Sequence, residues 1–542
     1  MNRRIYKMLL FCMVSMLSVF VHAASLQVTY QIGDATETVT SDVSTEGSLA
    51  TLLGGEDNAM KVTQLSVKGY LNHTDIILLQ QMAGNTKGKG SLKSLNLSEA
   101  TFRDTDKKVD DYTFMDCGNL QQVDLSNMTE IGQWAFQNCA LTEITIPATV
   151  TKIGVGAFSG NSAVTKVTVQ SGKQIHARSY YGAQGIFSGM DPNKVQVIFE
   201  GEAETNYRVY RDDIDDDGVP RPNAFMYLLT KTLDENSTDY TVVAQRHADV
   251  LLKRTFKAGW NTLVLPFGAR HVEGRVDGDC ARIYQKALNA TDTKGFMIAA
   301  YRGLAKNEAQ PDNSTFYFLQ YANYDMDPLD EFEPLLIRMT QEDIDDANGK
   351  GGVYTFKDVE LNYDGDFDDE HGGKYYKEYA AEDAIKRMGT KHTGEYFDGS
   401  YNHDANDKFK KCSYDDFYFT GTLYQQQCTA ENSAFIAPGD YIIQNNTFVK
   451  CLSGKKYGLK GFRGYFKQLP SSSSTAKGNI GICLVDRNGV VSSIHQVDGA
   501  SLTSASVAPV AVYNLSGQQV GNSLSTLAKG VYIVKGKKFV KK

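Results

Sequence analysis

One acidic segment has the residue spacing of a calcium-binding loop. Asp213, Asp215 and Asp217 alternate with other residues, and Gly218 follows them. In such a loop the spaced carboxylates converge on Ca²⁺ and the glycine makes the sharp turn. The twelfth position of the loop is Ala224 instead of the usual glutamate. A solvated acidic linker is therefore the alternative to a bound Ca²⁺ ion.

The other residues with catalytic chemistry form no recognised motif. Of the nine histidines only His22 lies near the N-terminus, and the rest are scattered, with no HExxH or H-x-H spacing for zinc. The chain contains no G-x-S-x-G elbow, no P-loop and no dinucleotide fingerprint. A second acidic segment, residues 364–369, lacks the glycine that a calcium loop needs at its sixth position. We predict no catalytic residue, and no cofactor apart from Ca²⁺ at the first segment.

A repeat organises the N-terminal third of the chain. Phe114, Phe136 and Phe158 recur every 22 residues. The strand pattern Leu-x-x-Leu-x-Leu, or a variant of it, recurs with them at residues 92–97, 120–125, 141–146 and 164–169, with a degenerate copy at 195–199. Alternating side chains of a short strand point to opposite faces, so each layer buries its apolar set only between neighbours. This period predicts a leucine-rich-repeat solenoid in which the phenylalanines fill the return side.

Small residues recur within the repeat as well. Gly132 and Gly154 each follow an isoleucine, where we expect them to permit a tight bend. Cys117 and Cys139 stand 22 residues apart at the same place in the repeat. Of the eight cysteines, Cys12 lies in the N-terminal segment 1–23, which we expect to be removed on export, and seven remain. An odd number in an exported chain argues against a complete disulfide framework, so we predict that Cys117 and Cys139 are both small buried residues.

The segment before the repeats has the features of a cap. Leu49, Leu52 and Leu53 suggest a short amphipathic helix. Asp75 is placed to cap a second helix, whose apolar residues are Ile76, Leu78, Leu79 and Met82. A terminal layer of a repeat array needs such a cap because one of its faces has no neighbouring layer.

The remainder of the chain is β-rich. Strand-like runs separated by turn residues occur at 240–244, 261–267, 314–321, 334–339, 417–424, 440–444 and 480–485. We predict a mainly β protein, with the solenoid followed by β-sandwich-like modules and a small C-terminal β-domain. The predicted divisions are a signal peptide at 1–23, the cap at 24–90, the repeats at 91–204, β-rich modules of unknown function at 205–498 and the tail at 499–542.

The repeat resembles the BspA-like (Treponema-type) leucine-rich repeats of secreted and surface proteins from Bacteroidales. Its matching residues are Phe136, Cys139, Leu141, Ile144, Ile146, Pro147, Val150, Ile153, Gly154, Ala157 and Phe158. The spacing from Cys139 to Leu141 is one residue shorter than in the family pattern. The resemblance implies surface-exposed adhesion or ligand binding.

The two ends of the chain suggest export. Arg3, Arg4 and Lys7 form a basic start, residues 8–21 are an apolar run, and Val21-x-Ala23 fits a signal-peptidase site. An uncleaved membrane anchor is the alternative. The tail resembles the C-terminal sorting domains of type IX secretion, and the matching residues are Tyr513, Gly517, Val520, Leu527, Gly530, Tyr532 and Val534. A plain terminal β-domain is the alternative. We expect a secreted or outer-surface protein with no transmembrane span after cleavage.

The outward-facing residues of the repeat strands are the predicted binding surface. They are Gln121, Gln122, Asp124, Thr142, Glu143, Thr145, Thr165, Lys166 and Thr168. The expected partner is a host or bacterial surface protein or a glycan. The formal net charge of −8 disfavours nucleic acid. A solvated sheet face without a ligand is the alternative for these residues, and a secreted hydrolase with its active site in 205–495 is the alternative function.

Overall fold

The computed structural model describes residues 26–41, 48–85, 89–102, 107–173, 175, 185–211, 224–268, 297–307, 310–321, 331–339, 341, 344–345, 352–368, 373–390, 417–428, 436–444, 447–468, 480–485, 491–494, 512–513, 519–521, 530–534 and 537–541. Strands predominate among them, which confirms a mainly β chain. The signal-peptide prediction at 1–23 and the Ca²⁺ prediction at Asp213, Asp215 and Asp217 lie outside the described residues.

The N-terminal part joins an antiparallel hairpin to the first parallel strands. Its elements are β1 (Leu26–Ile32), β2 (Ala35–Ser41), α1 (Ser48–Leu52), α2 (Glu56–Ala59), β3 (Gln64–Leu71), α3 (His73–Met82) and β4 (Ser94–Phe102). β1 pairs antiparallel with both β2 and β3, whereas β3 pairs parallel with β4. The hairpin therefore covers the edge that the first parallel strand would otherwise expose.

Both helices predicted in this part are present, but the capping residue differs. Asn72, and not Asp75, is the N-cap of α3, since its side chain accepts a hydrogen bond from the Asp75 backbone N–H. Asp75 is the third helical residue and accepts from the Asn72 backbone N–H, which completes a capping box. Its other oxygen accepts from the Leu49 N–H at 3.0 Å and so joins α1 to α3.

The repeats contribute strands to a main parallel layer, and three further short strands form a smaller sheet. The strands are β5 (Lys108–Val109), β6 (Gln122–Asp124), β7 (Glu130–Ile131), β8 (Glu143–Ile146), β9 (Lys152–Ile153), β10 (Lys166–Val169) and β11 (Gln196–Phe199). β6 pairs parallel with β4, and β10 pairs parallel with both β8 and β11. The short strands β5, β7 and β9 form the second parallel sheet.

The phenylalanines of successive layers stack on one another in the core. The stacked rings belong to Phe114, Phe136, Phe158 and Phe187, with centroid separations of 5.3, 5.6 and 6.0 Å. Phe225 continues the column at 5.8 Å with a tilted ring. The same apolar cluster continues past residue 204 to Leu229, while the domain boundary at 204 stays a prediction.

Gly132 and Gly154 are needed for the close approach of neighbouring layers. A Cβ on Gly154 would lie 2.3 Å from the backbone N of Gln133, and one on Gly132 would lie 2.5 Å from the carbonyl carbon of Asp110. Neither glycine has the positive φ that a glycine-specific bend uses. Their expected role in a bend is therefore corrected to a requirement for space between layers.

The central part contains several small sheets. Its elements are α4 (Glu202–Arg211), α5 (Met226–Leu229), β12 (Thr230–Asp234), β13 (Gln245–Lys253), β14 (Gly259–Leu263), β15 (Met297–Asn307), β16 (Gln310–Tyr321), β17 (Leu335–Met339), β18 (Val353–Leu361), β19 (Tyr363–Asp368), β20 (Gly373–Glu378), α6 (Ala381–Thr390), β21 (Phe417–Thr422), β22 (Gln426–Cys428), β23 (Tyr441–Gln444), β24 (Thr447–Lys450), β25 (Tyr457–Leu459), β26 (Arg463–Gln468), β27 (Ile480–Val485) and β28 (Val491–Ile494). The strand orders are β12-β13-β18, β14-β17-β15-β16-β27-β28, β19-β20, β21-β26-β23-β24 and β22-β25.

An aromatic core joins the six-stranded sheet to the four-stranded sheet that contains β21 and β26. Phe316 of β16 stacks on Phe466 of β26 with ring centroids 4.3 Å apart, and Phe419 of β21 stacks on the same ring at 4.5 Å. Tyr301 of β15 contacts Phe419 and Phe466 edge-on. The strands predicted at 314–321, 334–339, 417–424, 440–444 and 480–485 are all present, with ends shifted by a few residues.

One predicted strand is absent. Tyr240, Val242 and Ala244 are buried in alternation, but residues 240–244 join no sheet. Instead the Tyr240 hydroxyl donates to Oδ1 of Asn362 at 2.6 Å, and the N–H of Val243 donates to the carbonyl of Asn193. The alternation therefore arises because these residues are buried between neighbouring segments, and not because they pair in a sheet.

The tail forms a four-stranded antiparallel sheet. Its strands are β29 (Val512–Tyr513), β30 (Gln519–Gly521), β31 (Gly530–Val534) and β32 (Lys537–Lys541), in the order β30-β29-β31-β32. The short strands predicted around Tyr513 and Tyr532 are thus present.

Candidate binding surface

Parallel pairing brings the predicted binding residues onto one face. Gln122 lies opposite Ser94 of β4, Glu143 lies opposite Lys166, and Thr145 lies opposite Thr168. Backbone hydrogen bonds from Thr142 to Gln121 and from Thr165 to Thr142 continue the alignment where β6 and β8 meet. At about 4.8 Å per strand, the face from β3 to β10 is about 19 Å wide.

Eight of the nine predicted residues face solvent at least in part. We call these eight the strand row: Gln121, Gln122, Asp124, Thr142, Glu143, Thr145, Thr165 and Lys166. Thr168 is only 8% exposed and does not belong to the surface, contrary to the prediction. Later parts of the chain contact this end of the sheet, where Gln196 of the next strand donates to Oε1 of Glu378 at 3.1 Å. Strand alternation alone does not reveal such a covering segment.

Part of the strand row is engaged in local hydrogen bonds. Oδ1 of Asp124 accepts from the Ser126 N–H at 2.9 Å, and Asn96 makes the same turn with Ser98 in the preceding strand. The first turn ends β6, while the second lies within β4 at a register shift, so Asp124 has a structural role.

The centre of the strand row carries long side chains with no such engagement. Glu143 and Lys166 are partners in the parallel register, yet neither forms an ion pair with any residue that the structure describes. Together with the exposed Gln122 they present an acid, a base and an amide on three successive layers. Such side chains can form hydrogen bonds and ion pairs with a partner protein.

The opposite short sheet carries two lysines that share one carboxylate. Glu130 of β7 lies between Lys108 of β5 and Lys152 of β9, with Oε2 4.0 and 3.4 Å from the two ammonium nitrogens. We call these three residues the charge ladder. It matches the strand row in number of layers and in exposure, but its charges are already paired.

The end of the main parallel sheet is closed by a side chain from β13. Oε1 of Gln245 accepts from the Val197 N–H at 2.7 Å, and Nε2 donates to the Val197 carbonyl at 2.8 Å. The fully buried carboxamide thus replaces the next strand and satisfies the free edge of β11. A single glutamine gives no sequence signal for this role, and our sequence analysis missed it.

A buried lysine reinforces this junction. Nζ of Lys231 donates to the carbonyl oxygens of Pro192, Val195 and Leu228 at 2.5, 2.6 and 2.8 Å. Burial lowers the pKa of this ammonium group, while Asp191 acts in the opposite direction. The three carbonyls satisfy the three donors of the charged form and so hold the last repeat against β12.

A second buried charge lies in the following module. The Glu235 carboxylate is 1% exposed and accepts from Lys460 at 2.9 Å and from Arg463 at 2.6 Å. Burial raises the pKa of this carboxyl, but these two cations outweigh burial and hold it below its usual value. The arrangement connects β12 to the segment around β26.

Metal binding gains no support from the described residues. Within them no three His, Cys, Asp or Glu residues are placed to hold a metal ion. Three aspartates of the second acidic segment, Asp364, Asp366 and Asp368, belong to β19, which pairs with β20 as a hairpin instead of forming a loop. Ca²⁺ binding at the first segment stays a prediction.

Comparison with known proteins identifies the repeats. Residues 86–200 match the family model for the BspA type leucine rich repeat region, in six copies. This match confirms the repeat resemblance for that part of the chain and indicates a platform for binding other proteins. No curated protein and no solved structure matches the chain. Among the described helices none is long and apolar enough to cross a membrane.

Proposed function

We propose that this chain is an exported, non-enzymatic adhesion protein that binds a partner protein through the strand row. The repeats would form a leucine-rich-repeat solenoid that presents this surface, and the β-rich part would carry it. Export would use the predicted signal peptide and the sorting-type tail, which gives a secreted or cell-surface location. The observation that carries the proposal is the solvent-facing group of Gln122, Glu143 and Lys166 in a BspA-type repeat array, whose side chains pair with no residue that the structure describes.

Several features of the strand row support binding over a purely solvated face. Its backbone is held by parallel pairing to neighbours on both sides, so a partner meets a preorganised surface. Preorganisation reduces the entropy that binding must overcome. In the charge ladder on the other sheet, each charged side chain lies within 4.0 Å of an opposite charge. Glu143 and Lys166, by contrast, are placed side by side without pairing.

The test compares two triple variants of the full chain without its first 23 residues. One carries Gln122→Ala, Glu143→Ala and Lys166→Ala, and the control carries alanine at all three positions of the charge ladder. Both are probed on an array of host and bacterial surface proteins and on a glycan array. We expect a protein ligand whose affinity falls about tenfold in the first variant, because a few central residues carry most binding energy.

The control should keep the affinity of the unmodified protein. Equal losses in both variants, or full binding by the first, would contradict the assignment of the strand row. Binding to glycans alone would replace the protein partner by a carbohydrate. A shorter fragment ending at residue 204 would be unsuitable, because it lacks Gln245 and Lys231, which close the last repeat.

A further inference from the structure

Three successive repeat layers each pass through two positions of left-handed backbone on their return side. The second of these positions is occupied by Asp116, Asn138 and Gly160, with φ of 60, 54 and 78°. Aspartate, asparagine and glycine are the residues that tolerate this conformation best. This position is therefore filled as the backbone alone would require.

The first left-handed position is filled differently. Tyr112 and Trp134 occupy it in two successive layers with φ of 62 and 49°, and Gly156 occupies it in the third with φ of 64°. Bulky aromatic residues are rarely found in this conformation because the side chain crowds the backbone. Glycine, as in the third layer, is the residue that avoids this crowding. Backbone requirements therefore do not explain the two aromatic residues.

The two rings form an exposed platform, which we call the aromatic shelf. Tyr112 and Trp134 stack with centroids 5.1 Å apart and an angle of 24° between their planes. A Cβ on Gly156 would lie 2.4 Å from the Trp134 ring, so glycine there provides the room for the indole. Tyr112 is 47% exposed, while the core column of Phe114 and Phe136 is fully buried. The shelf therefore adds aromatic surface outside the core.

The return segment of Tyr112 also carries exposed carboxylates. Oδ1 of Asp111 accepts from the Gln133 N–H at 2.9 Å, and Oδ1 of Asp116 accepts from Nδ2 of Asn138 at 2.9 Å. Both aspartates are exposed, and each has a second oxygen that makes no hydrogen bond to a described residue. The three return segments, 110–118, 132–140 and 154–162, contain three aspartates and no Lys, Arg or His. The surface is thus aromatic and negative.

We propose that the aromatic shelf binds an arginine side chain presented by a partner protein. A guanidinium group is planar, lies flat on an aromatic face and donates hydrogen bonds within its plane to carboxylates. The exposed Tyr112 ring and the exposed Asp111 and Asp116 carboxylates of the same return segment supply these two kinds of contact. A neutral sugar could stack on the ring but would gain nothing from the negative charge. The shelf lies apart from the strand row, so this site does not depend on the proposed function.

The test uses the two tryptophans of the chain, Trp134 and Trp260, as separate reporters. In the full chain labelled with ¹⁵N-tryptophan, each gives one indole N–H signal in an NMR spectrum, and Trp134→Phe assigns them. The probe is the capped peptide Gly-Arg-Gly, compared with the citrulline peptide, which is planar but neutral, the lysine peptide and methyl glucoside. We expect the arginine peptide to shift the Trp134 signal and to leave the Trp260 signal unchanged.

Variants then separate the contributions of charge and ring. Asp111→Asn with Asp116→Asn should weaken binding of the arginine peptide about fivefold, since hydrogen bonds to charged groups are about twice as strong as neutral ones. Tyr112→Asn removes the ring but suits left-handed backbone, so it should abolish binding without unfolding the chain. Tyr227→Asn, which removes a tyrosine of equal exposure elsewhere, is the control and should bind normally.

Three results would overturn the proposal. Equal shifts from the arginine and citrulline peptides would show that the charge is not recognised. A Trp134 shift from methyl glucoside without one from the arginine peptide would assign the shelf to carbohydrate. An unmoved Trp134 signal at the solubility limit of every probe would show that the shelf binds neither. Because these readouts do not involve the strand row, they are independent of the binding-array experiment.

Discussion

Replacing Gly154 by alanine tests how closely the repeat layers approach one another. The added Cβ would lie 2.3 Å from the backbone N of Gln133 and 2.5 Å from its Cα, where an ordinary contact is 3.4 Å or more. Neighbouring layers would have to separate by about 1 Å, since both obstructing atoms belong to the backbone and cannot rotate away. That separation also strains the 2.8 Å hydrogen bond from the Gly154 N–H to the Ile131 carbonyl.

The expected loss combines these two effects. Overpacking costs about 1–3 kcal/mol and a weakened hydrogen bond about 1 kcal/mol, so the free energy of unfolding should fall by about 2–4 kcal/mol. For a unit the size of the repeats and their caps this lowers the melting temperature by about 5–15 °C. Fluorescence of Trp134 in a Trp260→Phe background reports unfolding of the repeats alone, because Trp134 is then the only tryptophan.

Gly118 provides the matched control. A Cβ there would have no neighbouring atom within 4 Å, and its backbone is not left-handed. Gly118→Ala should therefore leave stability unchanged or raise it by about 0.5 kcal/mol, because alanine restricts the unfolded chain. An unchanged melting temperature for Gly154→Ala, or an equal decrease for both variants, would refute the close approach of the layers.

Three further outcomes follow from buried polar groups. Gln245→Ala should lower the free energy of unfolding by about 2–4 kcal/mol in urea titrations, because both backbone groups of Val197 lose their partner, whereas an exposed Gln122→Ala should cost little. The ionised Glu235 carboxylate stabilises the fold above its unfolded pKa of about 4.3, and this stabilisation is lost as the pH falls through the lower folded pKa. Glu235→Gln removes this contribution, so the urea midpoint of the variant should change less between neutral and acidic pH. Burial raises the pKa of the Cys117 thiol to about 12 and also raises the pKa of the Cys139 thiol. Peptide mapping should therefore find both thiols unlabelled by maleimide in the folded protein and labelled in urea. Rapid labelling without urea would show that the core is open.

The repeats were predictable because each layer contacts mainly its neighbours in sequence. The 22-residue spacing of Phe114, Phe136 and Phe158 was enough to expect them at equivalent places in successive layers, and the structure shows that their rings stack. The apolar alternation of residues 141–146 likewise predicted a strand with one buried face, as β8 has. The burial of Cys117 and Cys139 followed from their equivalent places in the repeat.

Predictions based on single residues or short runs were less successful. The run 240–244 has the alternation of a strand, but alternation reports burial and does not require a neighbouring strand. Asp75 was expected to cap a helix, but the cap is Asn72 and the helix begins at the next residue. Gly154 was assigned to a bend, although the sequence cannot show how near the next layer lies.

The sequence by itself determined the composition of each layer, which residues of a repeat enter the core, and the mainly β character of the chain. These follow from local periodicity, because a repeated side-chain pattern can be buried in only one way between identical neighbours. Tertiary structure alone decided how the array ends, since Gln245 and Lys231 reach the last repeat from a later module without any local pattern. It also decided that Thr168 is covered, that Glu143 and Lys166 form no ion pair with a described residue, and that Tyr112 and Trp134 meet outside the core. Such contacts join segments that are distant in the sequence, so they produce no repeating sequence pattern from which they could be predicted.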